Sequence, residues 1–209
     1  MKNLILIFLL IATINTSSAL TATSTTVNKI ARIISNIPNT NFGGSFTAGN
    51  FSGSIRNGLI DMTMPSGSGT ISKVTLYMYS AGELRSGGTH SVHQLTRTNW
   101  TQAGVTWNKY DGTNNWTTAG GDYGSTIYTT GTISATPGWV SFDIMGGSAS
   151  APLTLNWGDD INLLVKVASG VSEVDYTASG GNAPYVVVTY TNIVPPPPTL
   201  GFFRYFRHR

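Results

Sequence analysis

Lys73-Val74-Thr75-Leu76-Tyr77-Met78-Tyr79-Ser80 changes character at every step. A strand points successive side chains to opposite faces, so Val74, Leu76 and Met78 share one face and Thr75, Tyr77 and Tyr79 the other. One face suits a core and the other is amphipathic. Similar short stretches recur on both sides: Val27 to Ile34, Leu59 to Met64, Ser91 to Leu95, Trp139 to Ile144, Ile161 to Val167 and Tyr185 to Tyr190. Turn chemistry separates them, at Asn41 to Gly44, Pro65 to Gly69, Ser86 to Gly88, Gly120 to Asp122 and Ser179 to Asn182; glycine there supplies backbone conformations that other residues resist. No stretch of helical length carries a 3.6-residue apolar period. The pattern predicts an all-β chain folded as a single antiparallel β-sandwich.

The two ends read differently. Lys2 precedes an apolar run from Leu4 to Ile14, and Ser17 and Ala19 stand where a signal peptidase requires small residues. Residues 1–19 therefore read as a secretory signal peptide, with the mature chain starting near Leu20 and a secreted or cell-surface destination. The run is shorter than the roughly 20 apolar residues of a membrane-spanning helix. After Thr191, Pro195 to Pro198 form an extended spacer. Phe202, Phe203, Tyr205 and Phe206 then interleave with Arg204, Arg207, His208 and Arg209. Residues 193–209 are thus a spacer and a basic aromatic tail, a candidate contact for an anionic envelope. Residues 20–192 make one domain of ordinary size.

The formal charge of +3 belongs to these ends, because Lys2 and the three tail arginines leave eight cations against nine acids in the body. That balance argues against nucleic acid as a partner. Cysteine is absent, which excludes disulfides, thiolate metal sites and thiol nucleophiles. Glycoside hydrolysis needs two carboxylates held in different protonation states. Asp111, Asp122, Asp159 and Asp160 instead flank Gly or Asn, where a carboxylate usually bonds local backbone. No catalytic residues are assigned. His90 and His93, three apart in a strand, point to opposite faces and do not share a metal. Asp159, Asp160 and Asp175 are the candidate oxygen ligands for a structural Ca²⁺.

The stretch from Asn99 to Thr130 holds Trp100, Trp107, Tyr110, Trp116, Tyr123 and Tyr128 without strand periodicity. A long connection this rich in rings is either packed on the body or binds a ligand. Within it, Trp100-Thr101, Val105-Thr106-Trp107-Asn108, Trp116 and Gly120-Gly121-Asp122 resemble the central signature of the DNRLRE domains. These are related to disaggregatase repeats and to an alginate-binding family of carbohydrate-binding modules. The turn Pro38 to Gly44, the strand Leu76 to Tyr79, Gly138 to Asp143 and Pro184 to Tyr190 are similar to the family's flanking segments. Two positions depart from it: Gln102 stands where the family often carries an acid, and Gly58-Leu59-Ile60-Asp61 replaces an Arg-Phe-Asp strand. The resemblance implies a jelly-roll β-sandwich on secreted and surface proteins, with polysaccharide binding in part of the family.

Two readings of function follow. In the first, the chain is a non-catalytic module that binds extracellular or cell-surface polysaccharide, its rings stacking on sugars and its amides and cations bonding hydroxyls or acids. Tyr110, Trp116, Tyr123, Arg97 and Lys109 are the candidates, while Trp100, Trp107 and Trp139 read as core. In the second, it is a structural or adhesive subunit of a surface layer, matrix or filament. Its leader, Leu20 to Val27, then pairs with a neighbour's sheet edge in self-association, and its tail tethers it to a cell-envelope polymer. Asn50, Asn99 and Asn115 each begin an Asn-x-Ser/Thr acceptor sequence.

Overall fold

A computed structural model describes residues 18–85, 88–134 and 136–192. The expected signal peptide, through residue 17, and the tail at 193–209 lie outside the described residues. Nearly all regular structure is antiparallel strand, and the sole helical turn among the described residues is a short 3₁₀ turn at Gly180–Asn182.

Twelve strands form one curled sheet whose two halves face each other. They are β1 (Leu20–Ser24), β2 (Val27–Ile34), β3 (Phe42–Gly43), β4 (Phe46–Phe51), β5 (Ser54–Thr63), β6 (Thr70–Arg85), β7 (Thr89–Gln94), β8 (Thr129–Thr132), β9 (Gly138–Met145), β10 (Asp160–Ser169), β11 (Ser172–Tyr176) and β12 (Tyr185–Thr191). One half, sheet one, runs β1-β12-β6-β9. The other, sheet two, runs β3-β2-β5-β10-β7-β8. Strand β6 serves both ends of the curl: its first part lies between β12 and β9, and its end pairs with β11, which leads through β4 back to β5. This is the sandwich that the alternation predicts, in the jelly-roll-like form that the resemblance implies.

The interior follows that alternation. Val74, Leu76 and Met78 of β6 meet Phe142 and Ile144 of β9 and Val186 and Val188 of β12. Across the gap stand Ile60 and Met62 of β5 and Ile161, Leu163 and Val165 of β10. Burying such side chains contributes roughly 1.5–3 kcal/mol each and holds together a body that has no cross-links. Gly58 faces inward too, and a Cβ there would collide with the Phe46 ring.

The leader does not wait for a neighbour. Thr21 to Ser24 pair in register with Thr189 to Val186, so β1 completes the chain's own sheet. This corrects the expected pairing of that segment with another copy: the regular edge of β12, three valines and two tyrosines long, is filled by the nearest available strand.

Candidate functional site

A second apolar cluster lies on the outer face of sheet two. Ala31 and Ile33 of β2, Leu59 of β5 and Leu164 of β10 point away from the core, which would leave an exposed apolar stripe. The connection from Leu95 to Gly124 covers it with Trp100, Val105 and Trp116, backed by Trp107, Tyr110 and Tyr123. Polar side chains from the same sheet and from the turn before β3 fasten this cover. Asn162 Oδ1 accepts from Trp100 Nε1 at 3.2 Å, and Asn57 Nδ2 donates to the Gly120 carbonyl at 2.9 Å. Lys29 Nζ donates to the carbonyls of Thr98 and Trp100 while ion-paired to Asp61 at 2.8 Å. Asn41 Nδ2 donates to the Gln102 and Val105 carbonyls. Two glycines permit the tight fit. Gly120 (φ 98°) and Gly121 (φ 110°) lie in the left-handed region, and a Cβ would stand 2.8 Å from the Trp107 ring in one case and 2.9 Å from Leu164 in the other.

The connection leaves and returns side by side. Leu95 pairs with Tyr123, Thr96 N–H donates to the Asp122 carbonyl, and Gly124 N–H to the Gln94 carbonyl. An open groove of about 650 Å³ lies between the outgoing Thr96 to Asn99 and the returning Thr117 to Ser125. Arg97 Nε donates to Asp122 Oδ2 at 2.9 Å, and its guanidinium sits 4.4 Å from the centre of the Tyr110 ring. Partial burial pushes the Asp122 carboxyl up. Bonds from Arg97 and from the Thr118 and Thr117 N–H groups outweigh that and hold it below the usual carboxylate range. Tyr123 lies edge-on to His93, and its hydroxyl is 2.7 Å from Lys166 Nζ.

The sequence-predicted residues therefore separate. Arg97 and Tyr123 line the groove, and Tyr110 supports Arg97 from behind. Lys109 is apart from it, at a small hairpin where Nζ donates to the Gly112 carbonyl at 3.3 Å. Trp116 is only 4% exposed, with Nε1 donating to the Thr106 carbonyl, so in this state its ring faces protein. Trp100 and Trp107 pack as expected, but Trp139 does not: it is 43% exposed on the outer face of sheet one. The reading of Trp139 as core is corrected by strand parity, since Ser141 and Asp143 share its side of β9 while Phe142 and Ile144 take the inside. Lys166 was not singled out from the sequence, although the same parity in β10 sets it opposite Val165.

The candidate metal ligands stand in three different bonding settings. Asp159 Oδ2 accepts from Asn156 N–H in a turn, Asp160 Oδ1 from the Thr63 hydroxyl, and Asp175 from Thr47 with Arg32 at 3.8 Å. Among the described residues, no three His, Asp or Glu side chains gather as metal ligands. His90 and His93 take opposite faces as the spacing requires, His90 between the sheets and His93 under Tyr123.

The model of carbohydrate-binding module family 96 matches residues 22–189, from β1 to β12. The chain belongs to this family. No curated protein matches it. The family 96 module is a carbohydrate-binding domain, and its partner is a carbohydrate. Among its described residues no helix is long and apolar enough to cross a membrane.

Proposed function

We propose that this family 96 module is exported and holds an acidic extracellular polysaccharide, a polyuronate of the alginate type, in the groove between residues 96–99 and 117–125, without breaking bonds in it. The observation that carries this reading is Lys166. Its ammonium sits on the Tyr123 hydroxyl beside the groove, and no carboxylate of the described residues lies within ion-pair distance of it, whereas Lys29, Arg32, Arg56, Lys73 and Arg97 each face one. A half-buried cation without a counter-charge is suited to a sugar carboxylate, and such charge-assisted bonds are about twice as strong as neutral ones. Arg97, fixed in plane by Asp122 and Tyr110, adds directional donors. Thr96, Thr98, Asn99, Thr117 and Thr118 add hydroxyls and an amide for sugar hydroxyl groups.

Export is the reading of residues 1–19, and β1 begins at Leu20, where a cleaved chain would begin. In this proposal residues 193–209 form a spacer and an envelope-contacting tail. The test is affinity electrophoresis of the full chain through gels containing polymannuronate or polyguluronate. Retardation is expected, weakening as salt rises, and Lys166→Gln should reduce it several-fold. A mobility indifferent to both polymers, or a Lys166→Gln variant retarded like the parent, overturns the proposal.

A further inference from the structure

The opposite face of the molecule carries an aromatic surface that the groove does not use. Tyr77 and Tyr79 of β6, Trp139 of β9 and Tyr185 of β12 lie on the outward side of three adjacent strands of sheet one. Their rings support one another. Tyr77 and Tyr185 are stacked at 4.8 Å and 4°. Trp139 meets Tyr185 at 4.9 Å and 74°, and Tyr79 at 5.4 Å and 82°. Each ring is thus held in place before any ligand arrives, which lowers the ordering cost of binding. Trp139 is the most exposed of the five tryptophans, the other four being buried or half-buried. With strands about 4.8 Å apart, the patch spans about 10 Å across the sheet.

We infer that this patch is a second carbohydrate-binding surface, one that takes an uncharged polysaccharide by stacking its sugar rings on Trp139 and the neighbouring tyrosines. Charge selects the ligand. Beside the rings stand Lys73 and Asp143, ion-paired to each other at 3.1 Å. The carboxylate also accepts from the Thr75 hydroxyl at 2.8 Å and from the Ser148 N–H and hydroxyl at 2.9 Å each. The cation is cancelled locally, so a polyanion finds no free partner here, in contrast to Lys166 on the other face. Among the described residues the large exposed aliphatics, Ile37, Ile55, Ile127 and Val171, lie outside its three strands. Phenol hydroxyls at its rim provide hydrogen-bonding groups for sugar hydroxyls. This inference stands on sheet one and does not require the groove to bind anything.

The experiment is affinity electrophoresis of the full chain in hydroxyethylcellulose and in mixed-linkage β-glucan, with size-exclusion chromatography alongside. The parent should be retarded in at least one gel, and soluble polyuronate added with the protein should leave that retardation intact. Trp139→Ala should weaken it by about ten-fold or more, and Trp139→Phe, which keeps a ring, should recover part of it. Near-ultraviolet circular dichroism establishes that the variants keep the parent's packing. Free mobility of the parent in both neutral gels, unchanged retardation of Trp139→Ala, or release by polyuronate overturns the inference. A dimer of the parent that Trp139→Ala splits also overturns it, since the patch would then belong to a second copy.

Discussion

His90 stands fully buried between the sheets, with its ring nitrogens 2.7 Å from the Tyr176 hydroxyl and 2.9 Å from the Ser172 hydroxyl. Burial pulls its pKa down to about 4 from the ordinary 6.5, so the folded chain keeps it neutral while the unfolded chain protonates it. Between those values the unfolded state binds more protons, and stability falls as pH drops through the window, by up to about 3 kcal/mol. The urea midpoint should therefore decline from pH 6.5 to 4, and His90→Gln should flatten much of that decline. His93, shifted the same way by burial, adds to the decline, and the carboxylates of Asp111, Asp122 and Asp143, held low by their hydrogen bonds, add to it at the acid end. A parent whose midpoint is level across this range contradicts the assignment. Residue identity alone misled on exposure in two places, Trp116, which is buried, and Trp139, which is exposed. Trp116 looks free because it lies among Asn and Thr, yet it packs in one cluster with Ala31, Ile33, Leu59 and Leu164 of distant strands, and its indole N–H is taken by the Thr106 carbonyl. Trp139 looks like core because it is large, yet its own strand's parity places it outside. Gln102 is a milder case: its side-chain carbonyl accepts from Ile30 N–H at 2.8 Å, so the amide supplies the acceptor that an acid there would.

At the level of elements, the connection from Leu95 to Gly124 behaves as a layer of the fold. Gly121→Ala puts a methyl against Leu164 at a backbone angle that alanine resists, a cost on the order of 1–3 kcal/mol. Hydrogen exchange should then show lost amide protection from Thr96 to Asp122, with sheet one unchanged. Equal loss in both sheets would mean that the layer and the sandwich unfold as one unit. Seven strands were legible because each carries four or more residues of regular alternation or a continuous apolar run. β4 was not, since Phe46-Thr47-Ala48-Gly49-Asn50-Phe51 is rich in small and turn-forming residues. β11, Ser172 to Tyr176, hides its inward Val174 and Tyr176 between acids. The docking of the connection was half legible: its rings announced a packed or binding loop, but Asn57, Asn162 and Lys29, which decide between the two, lie far away in sequence. The groove exists only after that docking, and no local motif encodes it.

For the whole molecule, the decisive arrangement is that the two sheets expose unlike outer faces, one covered by a layer with an unpaired cation beside it and the other bare and aromatic. A sandwich so built also depends on what closes its edges. β1 shields the outer edge of β12, whose Tyr185 to Thr191 is apolar and regular enough to recruit other chains. A chain beginning after residue 25 should show concentration-dependent association by light scattering, while the longer chain at the same concentration should not. Association of both alike would assign no shielding role to β1. The same ladder has a mechanical consequence. Leu20 lies opposite Tyr190 and Ser24 opposite Val186, so the described ends of the domain emerge from one pole of the sandwich. Tension applied between these two ends opens this seam like a zipper, one residue pair at a time. The load reaches the interior only after β1 has let go.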